Sequence, residues 1–177
     1  MSRLRIPVTD EDHVLGAPDA PAVLVEYGDY ECPFCGQAYW EVKELSQALG
    51  DRLCFVFRNF PLTQAHPDAE LAAEAAEAAG AQGRFWEMHD LLYEHQESLE
   101  VGSLLAYAET LQLDLRVFSD DVGGHRFQDR VRRDFLGGAR SGVNGTPTFF
   151  VNGHRHDGPF TADALLSALE GGGLNAP

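Results

Sequence analysis

Two cysteines separated by two residues, Cys32 and Cys35, are the residues of this chain whose types and spacing most directly indicate chemistry. Thiol-disulfide exchange needs a thiolate that attacks a disulfide and a second thiol close enough to resolve the mixed disulfide. A Cys-x-x-Cys on the first turn of a helix supplies both, because the free amides and the dipole at the helix start stabilise negative charge on the first sulfur. We therefore expect Cys32 to be the nucleophile and Cys35, one turn further along, to be the resolving thiol.

The segments around the cysteines predict a β-α-β unit that positions them. Residues 22–27 and 53–58 are short, rich in Val, Phe and Leu, and bounded by turn residues, which is typical of strands in a buried sheet. Between them, residues 33–49 repeat apolar side chains at helical spacing, and Gly50 marks the end of the helix. The two strands are expected to be parallel and joined by a right-handed crossover.

The remainder of the chain divides into a helical middle and a short β-α ending. Residues 67–139 carry almost no strand pattern and predict four or five helices, with segments at 67–79, 85–96, 104–113 and 126–136. An Asn-Gly turn then indicates a hairpin. Its strands are predicted at 148–151 and 155–156, and a final helix is predicted at 161–169.

Composition limits the class of protein. With 177 residues and 44% hydrophobic content, the chain can bury a substantial core as one domain without covalent crosslinks. Three cysteines are too few for a disulfide scaffold, so the close pair is interpreted as redox-active and Cys54, in a predicted core strand, as an inert buried thiol. The net charge of −15 argues against nucleic acid and anionic membranes as partners.

The N-terminal sequence bears on location. It has two arginines but no apolar stretch long enough for a signal-peptide core, and no segment approaches the length of a membrane span. We therefore expect a cytoplasmic protein, although an exported protein whose leader had been removed would look the same. A monomer is expected.

Three segments together resemble the DsbA-like thiol:disulfide oxidoreductase family of the thioredoxin superfamily. They are Val25-Glu26-Tyr27, the Cys32-Pro33-Phe34-Cys35 motif, and the stretch from Gly145 to Gly153 that contains Thr146-Pro147-Thr148. The resemblance implies an α/β thioredoxin fold with an all-helical insertion. Residues 1–62 and 140–177 would form the thioredoxin-like domain, and residues 63–139 the insertion. It also implies a dithiol-disulfide oxidoreductase that acts on protein or peptide thiols and disulfides, with glutathione as a further candidate partner and no cofactor.

The resemblance assigns a role to Thr146 and Pro147. In such enzymes the proline is cis and packs against the Cys-x-x-Cys, a geometry that costs much less for proline than for other residues. The backbone of Thr146 would then be free beside Cys32 to pair with an extended substrate segment. The alternative is an ordinary trans proline that opens a strand.

The resemblance also suggests a proton partner for the dithiol. Glu26 lies six residues before Cys32 in a strand that is predicted to be buried, where a carboxylate is costly. In the resembled family an acid at this position exchanges protons with the resolving cysteine, so Glu26 is the candidate general base for Cys35. The alternative is an exposed glutamate at the end of the strand.

The dipeptide between the cysteines is expected to tune the nucleophile. Pro33 suits the first helical position because it has no amide to lose there. Strongly oxidising members of the resembled family often carry a histidine where this chain has Phe34, which cannot act as a neighbouring cation. Our hypothesis is that Cys32 is less acidic, and the disulfide less oxidising, than in those relatives. Phe34→His should then raise the reduction potential, and an unchanged potential would contradict the hypothesis.

The helical insertion is expected to lie over the dithiol and to restrict which thiols reach Cys32. Its aromatic residues Phe85, Trp86 and Tyr93 recur at helical spacing and are expected to pack between the inserted helices.

Two further classes of function stay open. Glutathione-dependent isomerases or transferases share the inserted fold, although they typically have a single serine or cysteine at the nucleophile position. A non-catalytic redox-sensing module, in which the disulfide switches a binding surface, is the other. A metal site is not expected, because the Cys-x-x-Cys would need two more ligands and no second such motif exists.

Overall fold

The computed structural model describes residues 2–171. A mixed five-stranded sheet lies at the centre, with the strands in the order β1-β3-β2-β4-β5. The strands are β1 (His13–Gly16), β2 (Ala22–Gly28), β3 (Leu53–Asn59), β4 (Thr148–Val151) and β5 (His154–His156). The helices are α1 (Pro33–Leu49), α2 (Ala69–Gly80), α3 (Phe85–Glu94), α4 (Val101–Thr110), α5 (Leu115–Gly123), α6 (Gln128–Arg140) and α7 (Ala162–Leu169).

The predicted β-α-β unit is confirmed. Strands β2 and β3 run parallel, with Val25 opposite Val56 and Glu26 opposite Phe57, and α1 connects them. Strand β4 pairs antiparallel with the other side of β2, so Glu26 also lies opposite Phe149. Strand β2 is therefore central, with six of its seven residues buried.

The helical middle of the chain contains five helices, α2 to α6, in agreement with the sequence. Helix α5 was not predicted as a separate helix, and α6 is displaced toward the C-terminus relative to the predicted 126–136. Strand β1 was also not predicted. It is a short edge strand whose half-exposed residues pair antiparallel with β3.

Both outer strands of the sheet have contacts on their outward sides. The indole Nε1 of Trp86 donates to the carbonyl of Val14 in β1 at 3.1 Å. At the opposite edge, the N-terminal segment forms a bridge to β5 between Arg3 and His154, supported by a hydrogen bond from Arg155 N to Ser2 O at 2.9 Å.

The aromatic residues of the insertion do not pack only among the inserted helices. The rings of Phe85 and Phe57 lie 6.4 Å apart, and Trp86 lies 5.6 Å from Phe55 of β3. Tyr93 stacks on Tyr39 of α1 at 5.4 Å. Phe85 and Tyr93 are buried, so their expected role as core residues is confirmed, and this core extends beyond the inserted helices because α3 also packs on the sheet and on the helix that carries the dithiol.

Candidate active site

The cysteine pair lies at the junction of β2 and α1. Cys32 is the N-cap of the helix, with an extended backbone conformation, and Pro33 occupies the first helical position. The first helical hydrogen bond runs from Gly36 N to Cys32 O at 3.1 Å. Both cysteines are free thiols in the structure, and Cys32 keeps 3% of its surface exposed whereas Cys35 keeps none.

The surroundings of Cys32 favour its thiolate. A hydrogen bond from the Cys35 thiol, with further ones from Thr146 and from the amides of Cys35 and Phe34, lowers the pKa of Cys32 to about 5 against the opposing effect of burial. As a thiol, Cys32 donates to the carbonyl of Thr146 at 3.4 Å. While Cys32 is a thiol, Oγ1 of Thr146 is buried and makes no hydrogen bond among the described residues. Its hydroxyl can donate to the sulfur once the thiol proton leaves, and that bond to the thiolate is the contribution of Thr146 to the lowered pKa of Cys32.

Cys35 has the opposite environment. Burial raises the pKa of this thiol well above its ordinary value, and its hydrogen bond to Cys32 and the charge of Glu26 act in the same direction. Cys35 therefore stays protonated at neutral pH unless a nearby group removes its proton.

Glu26 is buried on the face of the sheet that carries the dithiol. Only 2% of the residue is exposed, so the alternative of an exposed glutamate at the strand end was wrong. Its Oε1 has no hydrogen-bond partner among residues 2–171. Burial, together with the charge of Cys32, raises the pKa of Glu26 to about 8. A carboxyl group with this pKa can accept and release a proton near neutral pH.

The segment with Thr146 and Pro147 faces Cys32 from another part of the chain. The peptide bond between these residues is cis, and the carbonyl of Thr146 is the group that contacts the Cys32 sulfur. The hydroxyl of Thr148 donates to the carbonyl of Gly145 at 2.8 Å and closes the turn around the proline. Residues 114 positions apart in the sequence thus meet at the sulfur.

A buried aspartate, which was not predicted from the sequence, organises the loop before the dithiol. The carboxylate of Asp29 accepts hydrogen bonds from the amide of Glu31, the amide of Leu62 and Nδ1 of His66, each at 2.8 Å. The carbonyl of Asp29 accepts the amide of Cys32 at 3.1 Å. Asp29 stands in a short polar run after a strand, but nothing in the sequence marks His66 as its partner.

Gln96, just after α3, was also missed. Its Nε2 donates to the carbonyls of Tyr30 and Cys32, at 2.8 and 2.9 Å. A Cβ at Gly36 would lie 2.1 Å from Oε1 of Gln96, so this close approach requires glycine. The insertion therefore contacts the backbone of Cys32 directly.

Phe34 differs from the other residues of the motif in its exposure. It keeps 58% of its surface accessible, the largest fraction among the exposed large apolar side chains of residues 2–171. The dipeptide thus presents an aromatic ring, and no titratable group, beside Cys32.

The fold is a DsbA-like thioredoxin fold that carries a Cys-x-x-Cys dithiol at the start of α1. The family described as "Thioredoxin" matches residues 8–171, and the chain belongs to this family. The predicted thioredoxin fold with a helical insertion is thereby confirmed.

Solved structures show the same architecture. A thioredoxin-like oxidoreductase from Silicibacter pomeroyi is 27% identical, with a TM-score of 0.81 and 92% of each chain covered. BdbD from Bacillus subtilis is 24% identical, with a TM-score of 0.83, over 96% of this chain and 97% of that one. At this identity BdbD supports the fold alone.

The chain is also similar in sequence to one part of longer proteins that are named as antiporters. The Na(+)/H(+) antiporter NhaA 1 of Salinispora arenicola is 52% identical over 167 residues, which cover 94% of this chain and 26% of that protein. The antiporter NhaA of Herminiimonas arsenicoxydans is 40% identical over 168 residues, 94% of this chain and 27% of that protein. The chain thus spans about a quarter of the length of these relatives. Within residues 2–171, every helix is too short or too polar to cross a membrane.

Proposed function

We propose that the chain exchanges disulfides with protein or peptide thiols, with Cys32 as the nucleophile and Cys35 as the resolving thiol. The observation that carries this proposal is the contrast between the two sulfurs. Cys32 lies at the helix start in contact with Thr146, whereas Cys35 is fully buried on the side of Glu26. Solved proteins with this fold include MdbA of Corynebacterium diphtheriae, a thiol-disulfide oxidoreductase.

In the reducing direction, the Cys32 thiolate attacks one sulfur of a substrate disulfide. A bond forms between Cys32 and that sulfur, and the other substrate sulfur leaves as a thiolate and takes up a proton. Glu26 then accepts the proton of Cys35, and the Cys35 thiolate attacks the sulfur of Cys32. The second substrate thiol leaves, so the substrate gains two electrons and the protein holds a Cys32–Cys35 disulfide. Oxidation of a dithiol substrate is the reverse sequence.

Substrate binding is proposed at Thr146 and Pro147. Proline lacks an amide, and the carbonyl of Thr146 accepts only the thiol proton of Cys32 among the described contacts. Once Cys32 is a thiolate or a mixed disulfide, this carbonyl is available to an amide of an extended substrate segment. The exposed ring of Phe34 offers apolar contact next to the nucleophile.

The test is turnover of a peptide disulfide by three cysteine variants. Cys32→Ser is expected to lower turnover at least about a hundredfold, because the nucleophile is lost. Cys35→Ala should accumulate the mixed disulfide. Cys54→Ser is the matched control, since Cys54 is buried in β3, and it should keep wild-type turnover.

The same experiment separates the two alternatives. Turnover that persists in Cys35→Ala and requires glutathione would favour a glutathione-dependent isomerase or transferase. A Cys32–Cys35 disulfide that forms without any substrate turnover would favour the redox-sensing module. Full turnover in Cys32→Ser would contradict the assignment of the nucleophile.

We further propose the domain division expected from the sequence, with residues 1–62 and 140–177 as the thioredoxin-like domain and 63–139 as the insertion. Met1 and residues 172–177 of these ranges lie outside the described residues. The five strands of the described residues, α1 and α7 fall in the first part, and α6 crosses the boundary with its last residue, Arg140. The predicted cytoplasmic location and monomeric state stay predictions.

A Na(+)/H(+) antiporter is a candidate partner. The similarity to antiporter relatives supports this, since it covers 94% of this chain but only 26% of the Salinispora protein. The matched part would then be a thiol-disulfide module of those proteins. Membranes that contain an NhaA-type antiporter should yield a mixed disulfide with the Cys35→Ala variant, and failure to crosslink under reoxidising conditions would argue against this partner.

A further inference from the structure

His66 lies beside the loop that precedes Cys32, where it contacts Asp29. Its Nδ1 donates to Oδ2 of Asp29 at 2.8 Å, and the imidazole keeps 19% of its surface exposed while the carboxylate of Asp29 keeps none. Asp29 in turn holds the amide of Cys32 on its carbonyl at 3.1 Å. The imidazole is thus attached, through one residue, to the backbone of Cys32.

The loop concentrates negative charge near a sulfur that must itself become negative. Asp29 and Glu31 both lie within three residues of Cys32 in the sequence, and the carboxylate of Glu31 accepts the amide of Asp68 at 2.8 Å. The carboxylates of Asp29 and Glu31 disfavour a thiolate at Cys32 by repulsion, and a positive charge held in the same loop would favour it.

We propose that the His66–Asp29 pair is a proton-linked positive charge that stabilises the Cys32 thiolate and so adjusts the acidity of the nucleophile. This inference rests on the proposed function, because it concerns the reactivity of the same sulfur. His66 is a positioning residue in this scheme, since it acts through the charge that it holds beside the loop.

The protonation of the imidazole supports the assignment. The hydrogen bond to Asp29, and then the charges of Asp29, Cys32 and Glu31, raise the pKa of His66 against the effect of burial. The charge that faces His66 from the N-cap of α1 is that of Cys32, and the charges from the preceding loop are those of Asp29 and Glu31. Because coupling is reciprocal, a proton on His66 must favour the thiolate by the same factor by which the thiolate favours the proton.

The first test needs no substitution. Proton NMR titration of the His66 ring is carried out on the dithiol protein and on the protein oxidised to the Cys32–Cys35 disulfide. Above about pH 5 the dithiol form carries a thiolate at Cys32, whereas the disulfide is neutral. His66 is therefore expected to bind its proton roughly threefold more tightly in the dithiol protein. Repeating the titration in Glu26→Gln removes any contribution from redox-linked ionisation of Glu26, and the difference should persist.

His125 is the matched control within the same spectrum. Its Nδ1 also lies 3.0 Å from a carboxylate oxygen, that of Glu74, but this pair belongs to the helical insertion. The titration of His125 should be the same in both redox forms. A disulfide that forms while His66 titrates identically in both forms would overturn the inference and leave the proposed function intact. Failure of the two cysteines to form a disulfide would overturn both.

The second test measures the ionisation of the Cys32 sulfur. Cys32 in reduced protein is alkylated with iodoacetamide across pH 3.5–8, and the modified site is assigned by peptide mass. At pH values below the midpoint of Cys32 ionisation, His66→Gln should lower the fraction of Cys32 that is thiolate roughly threefold. His66→Lys, which keeps a positive charge, should restore that fraction. His125→Gln should leave the profile unchanged. If both His66 variants slowed alkylation of Cys32 equally, His66 would have a merely structural role and the inference would be overturned. An unchanged pH profile of alkylation in both variants would also overturn it.

Discussion

The two faces of the central sheet each bury an ionisable side chain, but they differ in how many hydrogen bonds that side chain makes. On the face that carries α1 and the dithiol, Glu26 of β2 is buried with Oε1 unpartnered among the described residues. On the other face, Arg58 of β3 is 3% exposed and every guanidinium nitrogen is bonded. It donates to both carboxylate oxygens of Asp12, to the hydroxyl of Tyr27 and to the carbonyls of Ile6 and Pro7.

The difference separates stability from chemistry. A buried ion whose hydrogen bonds are all satisfied keeps one arrangement and resists a change of protonation. Arg58 is an example, because its hydrogen bond to Asp12 raises its pKa against the opposing effect of desolvation. A buried carboxyl group without such partners costs stability when ionised, and for that reason its proton is mobile near neutral pH. Adjacent strands thus carry a structural charge and a titrating one.

The largest effect is expected from Glu26→Gln. The folded pKa of about 8 lies above the ordinary 4.5, so ionisation destabilises the native state progressively as the pH rises from 4.5 to 8. Linkage gives a pH-dependent loss of about 4 kcal/mol over this window for the wild type, which should be absent in the variant. Urea unfolding of the reduced proteins at several pH values measures the difference between the two curves.

Glu26→Gln should also slow resolution of the mixed disulfide by roughly a hundredfold, because Cys35 loses its proton acceptor. Glu77→Gln is the matched control, since Glu77 is buried but bonded to Asn59 and His13, each at 2.8 Å. It should lower stability and leave the resolution rate unchanged. Parallel pH curves for Glu26→Gln and wild type would remove the contrast between the two faces.

The second effect is expected from Arg58→Met on the opposite face. Removal of the guanidinium leaves Asp12 without its charged partner, which should lower the free energy of unfolding by about 3 kcal/mol. The loss should be present at neutral pH and shrink under acid, because the lowered pKa of Asp12 means that its stabilisation disappears as the pH falls.

Arg52→Met serves as the control for the opposite face, since Arg52 is exposed and makes one contact of 3.4 Å to Ala48 O. Its unfolding free energy should change little, and thiol alkylation of Cys32 should be normal in both variants. A variant at Arg58 that altered the alkylation profile would show that the two faces are coupled.

The smallest effect is expected from Gln96→Ala. Loss of its two hydrogen bonds to backbone carbonyls should cost about 1 kcal/mol and loosen the start of α1. Denaturation and the alkylation rate of Cys32 check this result together. Gln82→Ala is matched, because Gln82 makes two hydrogen bonds to the backbone of Asp114 in an exposed loop, and it should leave the alkylation rate unaltered.

The sequence predicted the parts of the site that depend on local pattern. The helix over residues 33–49 was predicted with its observed bounds, because proline at its start and glycine at its end limit it. Burial of Glu26 followed from the apolar strand around it. The dithiol could be recognised from the sequence because both cysteines lie on one helical turn.

Features that depend on distant pairing were not predictable, apart from the Thr146–Pro147 segment that the family resemblance placed beside Cys32. His66 and Asp29 are 37 residues apart, and each alone has the appearance of a polar loop residue. Strand β1 escaped detection because its four residues include a histidine and a glycine, and its stability comes from pairing with β3. Helix α5 has charged residues and ends in two glycines, and it is packed chiefly against α2 and α4.

The contacts at the outer strands bear on how the protein behaves at high concentration. An open sheet exposes unpaired backbone groups that can recruit a strand from another molecule, and such recruitment leads to aggregation. Here the indole of Trp86 occupies one carbonyl of β1, and the segment around Arg3 pairs with β5. Both edges therefore carry a built-in obstacle to intermolecular strand addition, supplied at one side by the insertion and at the other by the chain's own beginning.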